Sequence, residues 1–183
     1  MSQITPRRQK DKTLCALLHS IQDEISKKLK ASKIRKRLKG TAIVDTEAGI
    51  LLVSTNSDRF SLPGGGAEKQ ETGEAAAIRE LKEETGLKAI SAVYLFSHIG
   101  GIRKRGFGLV RNHHRVFLIQ TKGQPRPEQE IQAIRYYRPG DEINLSSSAR
   151  TIIEKYWAIK QNERLDLQSS HPEVVAAQEL HSL

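Results

Sequence analysis

The sequence predicts a single α/β domain, because strand-like and helical segments occur together in its central part. Residues 41–44 and 49–53 are apolar runs around a polar turn, a pattern that predicts two strands. Residues 73–85 are rich in good helix formers and lie between Thr72, a suitable N-cap, and Gly86. These three segments place the chain in the α/β class.

The same signals continue beyond the first predicted helix. Further strands are predicted at residues 89–99, 110–119 and 133–137, where apolar residues recur. Ser146–Ser148 can cap a final helix that runs to Gln161 and carries apolar residues for packing on a sheet. The core is therefore expected to end near residue 162.

Length and composition exclude several function classes. The 183 residues are enough for one domain with a core and extensions. The single cysteine cannot form an intramolecular disulfide. No apolar run approaches the roughly 18 residues that a membrane span requires, and the first residues lack a signal-peptide core. We therefore expect a soluble, cytoplasmic protein.

Positive charge is concentrated ahead of the core. The formal net charge is +9, and residues 1–39 hold 12 Lys/Arg against 3 Asp/Glu, whereas residues 40–183 hold 18 of each. We divide the chain into a basic, mostly helical N-terminal extension (1–39), a domain (40–162) and a polar C-terminal tail (163–183) to which no function is assigned.

The extension has an apolar stripe at helical spacing, formed by Leu14, Leu18, Ile21 and Ile25, and a basic opposite face. One interpretation is a helix packed on the domain or on a second copy in a homodimer, with its basic face in solvent. The other is nucleic-acid contact through the basic residues 7–39, since phosphate binding needs little beyond clustered Lys and Arg. A membrane-surface helix is disfavoured because large aromatic anchors are missing.

Residues 62–87 read LPGGGAEKQETGEAAAIRELKEETGL and combine a glycine turn with an acidic helix. Pro63 and the three glycines after it predict a turn whose backbone can approach a ligand closely. On the helix, Glu80, Glu83 and Glu84 share one side, and Glu74, Ala77, Ile78, Leu81 and Thr85 cover roughly the opposite side.

Three carboxylates at positions i, i+3 and i+4 repel one another. A divalent cation removes the repulsion, and clustered carboxylate oxygens suit Mg²⁺ or Mn²⁺. The alternative is a solvated acidic helix face. The glycine turn, Glu71 and Arg79 all lie in register with the carboxylates, and this combination favours a metal site.

The spacing Gly65, five residues, Glu71, seven residues, then Arg79-Glu80-Leu81 and Glu83-Glu84 resembles the complete motif of the Nudix hydrolases. This resemblance implies an α/β/α sandwich with a mixed β-sheet. It also implies metal-dependent hydrolysis of a phosphoanhydride bond in a nucleoside diphosphate linked to another group, by attack of water on phosphorus.

The resemblance implies roles for individual residues. Glu80, Glu83 and Glu84 would ligate the metal with the backbone carbonyl of Gly64, and Glu80 would also be the base that activates water. Arg79 and Glu71 would hold the loop and the catalytic carboxylate in place.

Three other regions carry expectations from the same resemblance. A further catalytic glutamate is expected from the loop before the strand at 133–137, with Glu130 as first choice and Glu128 as second, although both suit a solvated loop. Phe60 precedes the glycine turn, where an aromatic often lies near the substrate, but core packing is the favoured interpretation. Arg103 and Arg105 lie in a glycine-flanked loop at 100–108 and would either clamp substrate phosphates or form a polar hairpin tip.

The motif does not identify the group attached to the nucleoside diphosphate. A nucleoside triphosphate is mildly favoured, and the basic extension keeps a capped or triphosphorylated RNA end open as a substrate. The alternative function is a nucleotide-sensing or nucleic-acid-binding regulator. Catalysis is favoured because all of the motif glutamates are present.

Overall fold

The computed structural model describes residues 34–106 and 108–170, with side chains as far as residue 165. The predictions for residues 1–33 and 171–183 lie outside the described residues. Within the described part, residues 37–101 and 112–170 belong to one compact unit, called the main unit below. Residues 34–36, 102–106 and 108–111 belong to a second unit. The Nudix-like motif lies wholly in the main unit.

The described chain forms six strands and two helices. The strands pair in two groups of three, in the spatial orders β1-β5-β4 and β2-β3-β6. Strands β2, β3 and β6 are antiparallel, whereas the isolated bridge between Phe60 and Leu145 is parallel, so the pairing is mixed. The elements are β1 (Arg35–Ile43), β2 (Asp45–Thr46), β3 (Gly49–Ser54), α1 (Gly73–Thr85), β4 (Lys88–Arg105), β5 (Gly108–Lys122), β6 (Ala133–Tyr137) and α2 (Ser147–Ser170).

The core has two layers on opposite sides of the strands. Ala42 of β1 and Val44, which directly follows β1, pack with Leu81 of α1, whereas Ile43, the residue between them, packs with Ile152 of α2. Because neighbouring strand residues point to opposite faces, α1 and α2 cover different faces of the strands. This is the α/β/α arrangement predicted from the sequence.

Three predicted boundaries are wrong. Residues 35–39 were expected to end the helical extension, but they form the first half of β1. The predicted loop at 100–108 is largely strand, because β4 continues to Arg105 and β5 begins at Gly108. The final helix continues past Gln161 to Ser170, and the next proline on the chain is Pro172.

The error in β1 has a physical cause. Leu38 O accepts a hydrogen bond from Ala67 N at 3.0 Å, Gly40 N donates to Gly65 O at 3.0 Å, and Ala42 N donates to Pro63 O at 2.9 Å. These bonds join β1 to the glycine turn, which follows β2 and β3 in the sequence. Pairing over that separation overrides the local helical pattern of residues 35–39.

In the described part of the chain, neither helix is both long enough and apolar enough to cross a membrane.

Candidate active site

Helix α1 begins and ends where the sequence predicts, because both ends are capped locally. Thr72 has an extended backbone, and its Oγ1 accepts a hydrogen bond from Ala75 N at 3.1 Å. Gly86 ends the helix in the left-handed conformation at φ +70°, and its N–H donates to Lys82 O. The caps set which side chains of α1 face the glycine turn.

The glycine turn lies between β1 and α1, where two glycines permit close contact. A Cβ on Gly40 would lie 2.2 Å from Ala77 N, so the strand approaches the helix backbone directly. Gly64 has φ +142° and leaves no room for a side chain against the backbone of Gly40 and Thr41. The turn is thereby fixed to both elements.

The Glu80 carboxylate lies against the turn. A Cβ on Gly65 would come within 2.0 Å of Glu80 Oε1, so only glycine leaves space for this carboxylate. The turn and the acidic face of α1 are therefore in direct contact.

Glu84 is the buried member of the acidic group, with 8% of its surface exposed. Its Oε2 accepts a hydrogen bond from Gly64 N at 2.9 Å. Burial raises the pKa of Glu84 to about 7, and the negative charges of Glu80 and Glu130 add to that effect. The Gly64 hydrogen bond and the positive charge of Lys39 lower the pKa in part. A carboxylate in this position gains stability from any added positive charge.

Arg79 connects the turn to the acidic helix face. Its Nε donates to Glu71 Oε1 at 2.9 Å, and its Nη2 donates to Glu71 Oε2 and to Gly66 O, each at 3.1 Å. Its Nη1 donates to Glu80 Oε1 and Glu83 Oε2, both at 2.9 Å. The hydrogen bond from Arg79 lowers the pKa of Glu71, and contact with Glu71 raises the pKa of Arg79. The planar guanidinium suits this multiple pairing better than a lysine would.

The donor chemistry of the group fits a divalent cation, since Glu80, Glu83 and Glu84 supply hard oxygen atoms. Across the residues described, however, no three acidic, histidine or cysteine side chains converge as a metal cage. The reason is visible in the pairing, because Arg79 Nη1 holds Glu80 and Glu83 while Gly64 N holds Glu84. These contacts would have to rearrange for all three carboxylates to ligate one ion.

Residues 36–156 match the sequence profile of the NUDIX domain. The chain belongs to the Nudix hydrolase family. The match covers the strands β1 to β6 from residue 36 onward, the acidic helix and the first part of α2. The predicted enzyme class, a pyrophosphohydrolase acting on nucleoside diphosphate-linked substrates, is confirmed with the family. Nudix hydrolases generally use a divalent metal.

Solved structures agree with the Nudix assignment. The chain is 30% identical to a protein described as a Nudix hydrolase family member from Chromobacterium violaceum, with a TM-score of 0.58; the match covers 82% of this chain and 98% of that one. The E. coli ORF135 protein (23% identity, TM-score 0.56, 69% and 92% covered) and a MutT Nudix hydrolase from Burkholderia pseudomallei (22%, 0.52, 66% and 97%) share the fold. No curated protein sequence gives a significant match.

The two loop glutamates that were candidates for a Nudix catalytic role differ in their surroundings. The loop contacts the end of α1, where Arg126 N donates to Thr85 O at 3.0 Å and Glu128 N donates to Glu84 O at 3.2 Å. The Glu128 carboxylate is paired with Arg126 at 2.6 Å. Glu130 is exposed, and its charge acts on the pKa of Glu84. The role of either glutamate as an additional acidic group of the site stays a prediction.

The three residues predicted to contact substrate lie in different places. Phe60 is 2% exposed and belongs to the core layer beneath α2, so the structure places it in packing and offers no surface for a substrate. Arg103 and Arg105 are exposed near the end of β4, in the second unit. Their assignment as a phosphate clamp stays a prediction.

Two basic residues near the Nudix turn were missed by the sequence interpretation. Arg37 and Lys39 were counted in the helical extension, but they lie on β1, beside the turn. The signal was present as a basic residue at every second position before Gly40, which is the spacing of one strand face. This alternation was overlooked because basic residues are frequent throughout residues 1–39.

Proposed function

We propose that this Nudix hydrolase cleaves a phosphoanhydride bond of a nucleoside triphosphate, with Mg²⁺ or Mn²⁺ as the cation. The observation that supports it best is the contact of Glu80, Glu83 and Glu84 with the glycine turn and Arg79. Such a group presents carboxylate oxygens beside the half-buried backbone of the glycine turn, and oxygen atoms of this kind suit a hard divalent cation. The cytoplasm is the proposed compartment, as expected from the single cysteine.

The residues have distinct roles in this proposal. Glu80 accepts the proton of the attacking water while the new oxygen–phosphorus bond forms and the anhydride bond breaks, releasing a phosphate product. Glu80, Glu83, Glu84 and the Gly64 carbonyl would hold the cation, with Glu130 as a further acidic group. Arg79 and Glu71 fix the position of Glu80. The bound cation would neutralise charge on the phosphate oxygens and lower the pKa of water.

The test compares two equivalent substitutions on α1. Glu83→Gln removes one proposed ligand charge and should lower metal-dependent kcat/KM by roughly 100-fold or more, since even outer partners of metal ligands cost about 10–100-fold. Glu74→Gln is the matched control, because Glu74 is exposed on the same helix, on the side roughly opposite to Glu83. Undiminished turnover by Glu83→Gln would contradict the assignment.

The substrate is identified by a panel measured with Mg²⁺, Mn²⁺ or EDTA. The panel contains nucleoside triphosphates, nucleotide sugars, ADP-ribose, NADH, dinucleoside polyphosphates and triphosphorylated RNA. We expect the highest kcat/KM with a nucleoside triphosphate and only with metal. Clear preference for a nucleotide sugar would overturn the proposed substrate while leaving the hydrolase assignment intact.

The uneven charge of the chain supports a second candidate function. Residues 1–33 contain 8 Lys/Arg against 3 Asp/Glu, which suits a nucleic-acid contact by a regulator built on the Nudix fold. A homodimer that packs the apolar stripe of this segment is the competing proposal. Sedimentation with and without RNA separates the two, because only the first predicts RNA-dependent, salt-sensitive association.

A further inference from the structure

Arg37 of β1 lies directly against the glycine turn. A Cβ on Gly66 would lie 2.1 Å from Arg37 Nη2 and 2.6 Å from its Cζ, so the guanidinium occupies the space where a side chain at 66 would be. Gly66 does not have a positive φ. Its lack of a side chain therefore serves the position of Arg37 rather than the backbone conformation.

Lys39 follows on the same face of β1. Its backbone is bridged to Gly66, and its charge lowers the pKa of Glu84. Both Arg37 and Lys39 are half-buried. Two positive groups thus extend from one strand along the border of the acidic site.

The distance to the proposed chemistry is short. Glu80 Oε1 lies against Gly65 just as the Arg37 guanidinium lies against Gly66. Because successive Cα atoms are about 3.8 Å apart, the two side-chain groups are at most about 11 Å apart. The Arg37 guanidinium is therefore within about 11 Å of the proposed catalytic base.

Arg79 is the second arginine beside the glycine turn. Arg79 donates to Glu71, Glu80, Glu83 and the Gly66 carbonyl, and these acceptors fix the position of its guanidinium. The terminal phosphate of a nucleoside triphosphate brings additional negative charge, which a second guanidinium beside the turn would neutralise. Arginine suits that task because it can donate two parallel hydrogen bonds to a phosphate.

We propose that Arg37, assisted by Lys39, binds the terminal phosphate group of a nucleoside triphosphate and so selects nucleoside triphosphates over nucleoside diphosphates joined to an uncharged group. The inference rests on the proposed function, since it names the substrate class of the same site. Neither residue belongs to the Nudix motif. The proposed preference for nucleoside triphosphates therefore depends on residues of β1.

The first test measures kcat/KM of the full chain on one nucleoside triphosphate and on one nucleotide sugar with the same base. Arg37→Ala should lower kcat/KM for the triphosphate by about 10- to 100-fold, mainly through a higher KM, because one charge-assisted contact is lost. The value for the nucleotide sugar should change by less than about threefold. Arg37→Lys should recover part of the loss, and Lys82→Ala, which removes an exposed positive charge from α1, should change neither value.

A second variant tests the same idea without removing the arginine. Gly66→Ala places a methyl group where the guanidinium lies, and the flexible side chain of Arg37 must move away. The Gly66 carbonyl is retained for Arg79. We expect the same selective loss on the triphosphate as in Arg37→Ala, and little further loss when both changes are combined.

A binding measurement separates recognition from turnover. Calorimetry with an α,β-methylene nucleoside triphosphate and Mg²⁺ should show an affinity about 10-fold or more weaker for Arg37→Ala. An equal loss of kcat on both substrates, with unchanged affinity, would assign Arg37 to holding the loop and overturn the proposal. Unchanged kinetics would overturn it as well. Absence of metal-dependent turnover in the wild-type protein would instead overturn the proposed function itself.

Discussion

At the scale of single residues, Glu84 is the acidic group of the site whose ionisation is least favourable. Its carboxylate is buried and faces two other acidic groups, with one backbone hydrogen bond and the charge of Lys39 in compensation. Burying an ionised carboxylate is costly unless it is paired. In the metal-free protein, ionisation of Glu84 therefore lowers the stability of the folded state.

The raised pKa of Glu84 predicts that the free energy of unfolding depends on pH in the presence of EDTA. The folded-state pKa of Glu84 is about 7, above the ordinary value of 4.5, so the folded protein binds the proton more readily than the unfolded chain. The contribution of Glu84 to the free energy of unfolding is complete below about pH 4.5 and is lost as pH rises to about 7. It amounts to roughly 3 kcal/mol.

Urea unfolding of the wild type and of Glu84→Gln at pH 5 and pH 8 measures this contribution. The variant should lack most of the decrease in unfolding free energy between the two values of pH. Glu74→Gln serves as the control, because its carboxylate is exposed, and it should follow the wild type. Parallel pH profiles for the wild type and Glu84→Gln would show that burial does not raise this pKa.

At the scale of elements, the contact between β1 and α1 determines the shape of the site. The contact depends on Gly40, whose position lies against the helix backbone. Strand β1 in turn holds the glycine turn through three backbone hydrogen bonds. A change at this contact is expected to alter stability before it alters any catalytic group.

Gly40→Ala should lower the free energy of unfolding by about 3 kcal/mol, because the new methyl group meets backbone atoms that cannot move independently. A Cβ there would be 2.2 Å from Ala77 N and 2.3 Å from Gly73 O. Gly101→Ala is the control, since a Cβ at that position meets no atom within 4 Å. Chemical denaturation measures both, and equal stabilities would refute the close packing.

The start of α1 gives a second prediction at this scale. Thr72→Ala removes the side-chain oxygen that accepts from Ala75 N and should lower the free energy of unfolding by about 1 kcal/mol. Thr151→Ala is the matched control, because Thr151 is exposed within α2 and alanine is a better helix former. The control should be neutral or slightly stabilising. If both variants lost the same stability, capping would not be the cause.

Elements with local signals were predicted closely. Helix α1 matches its predicted ends because Thr72 and Gly86 act within one turn of the chain. Strand β6 matches as well, since apolar residues are bounded by turn residues. The first half of β1 was missed because its hydrogen bonds go to the glycine turn, and no neighbouring residue reports that pairing.

At the scale of the whole molecule, the basic residues of the N-terminal part fall into two groups with different proposed roles. The 12 basic residues of the predicted extension include Arg37 and Lys39, which the structure assigns to the border of the acidic site. The basic residues of 1–33 lie outside the described residues, and their proposed role in nucleic-acid contact depends on sequence alone. The two groups should therefore respond differently to substitution.

Replacing Lys27, Lys28, Lys30 and Lys33 with glutamine should weaken RNA binding and reduce its salt dependence, because fewer phosphates are neutralised. The kcat/KM for a nucleoside triphosphate should stay within about twofold, since none of the four lysines belongs to the Nudix motif or is among the proposed site residues. Electrophoretic mobility shift at two salt concentrations and steady-state kinetics measure the two effects. Unchanged RNA affinity would remove the nucleic-acid proposal for this segment.

The sequence by itself determined the family, the ends of α1 and the spacing of Glu80, Glu83 and Glu84, because these follow from residues close together on the chain. Only the tertiary structure decided that Glu84 is buried, that the charge of Glu130 raises the pKa of Glu84, and that Arg37 lies against Gly66. Each of these contacts joins elements separated along the sequence. Their geometry arises from strand pairing and helix packing, which local patterns do not specify.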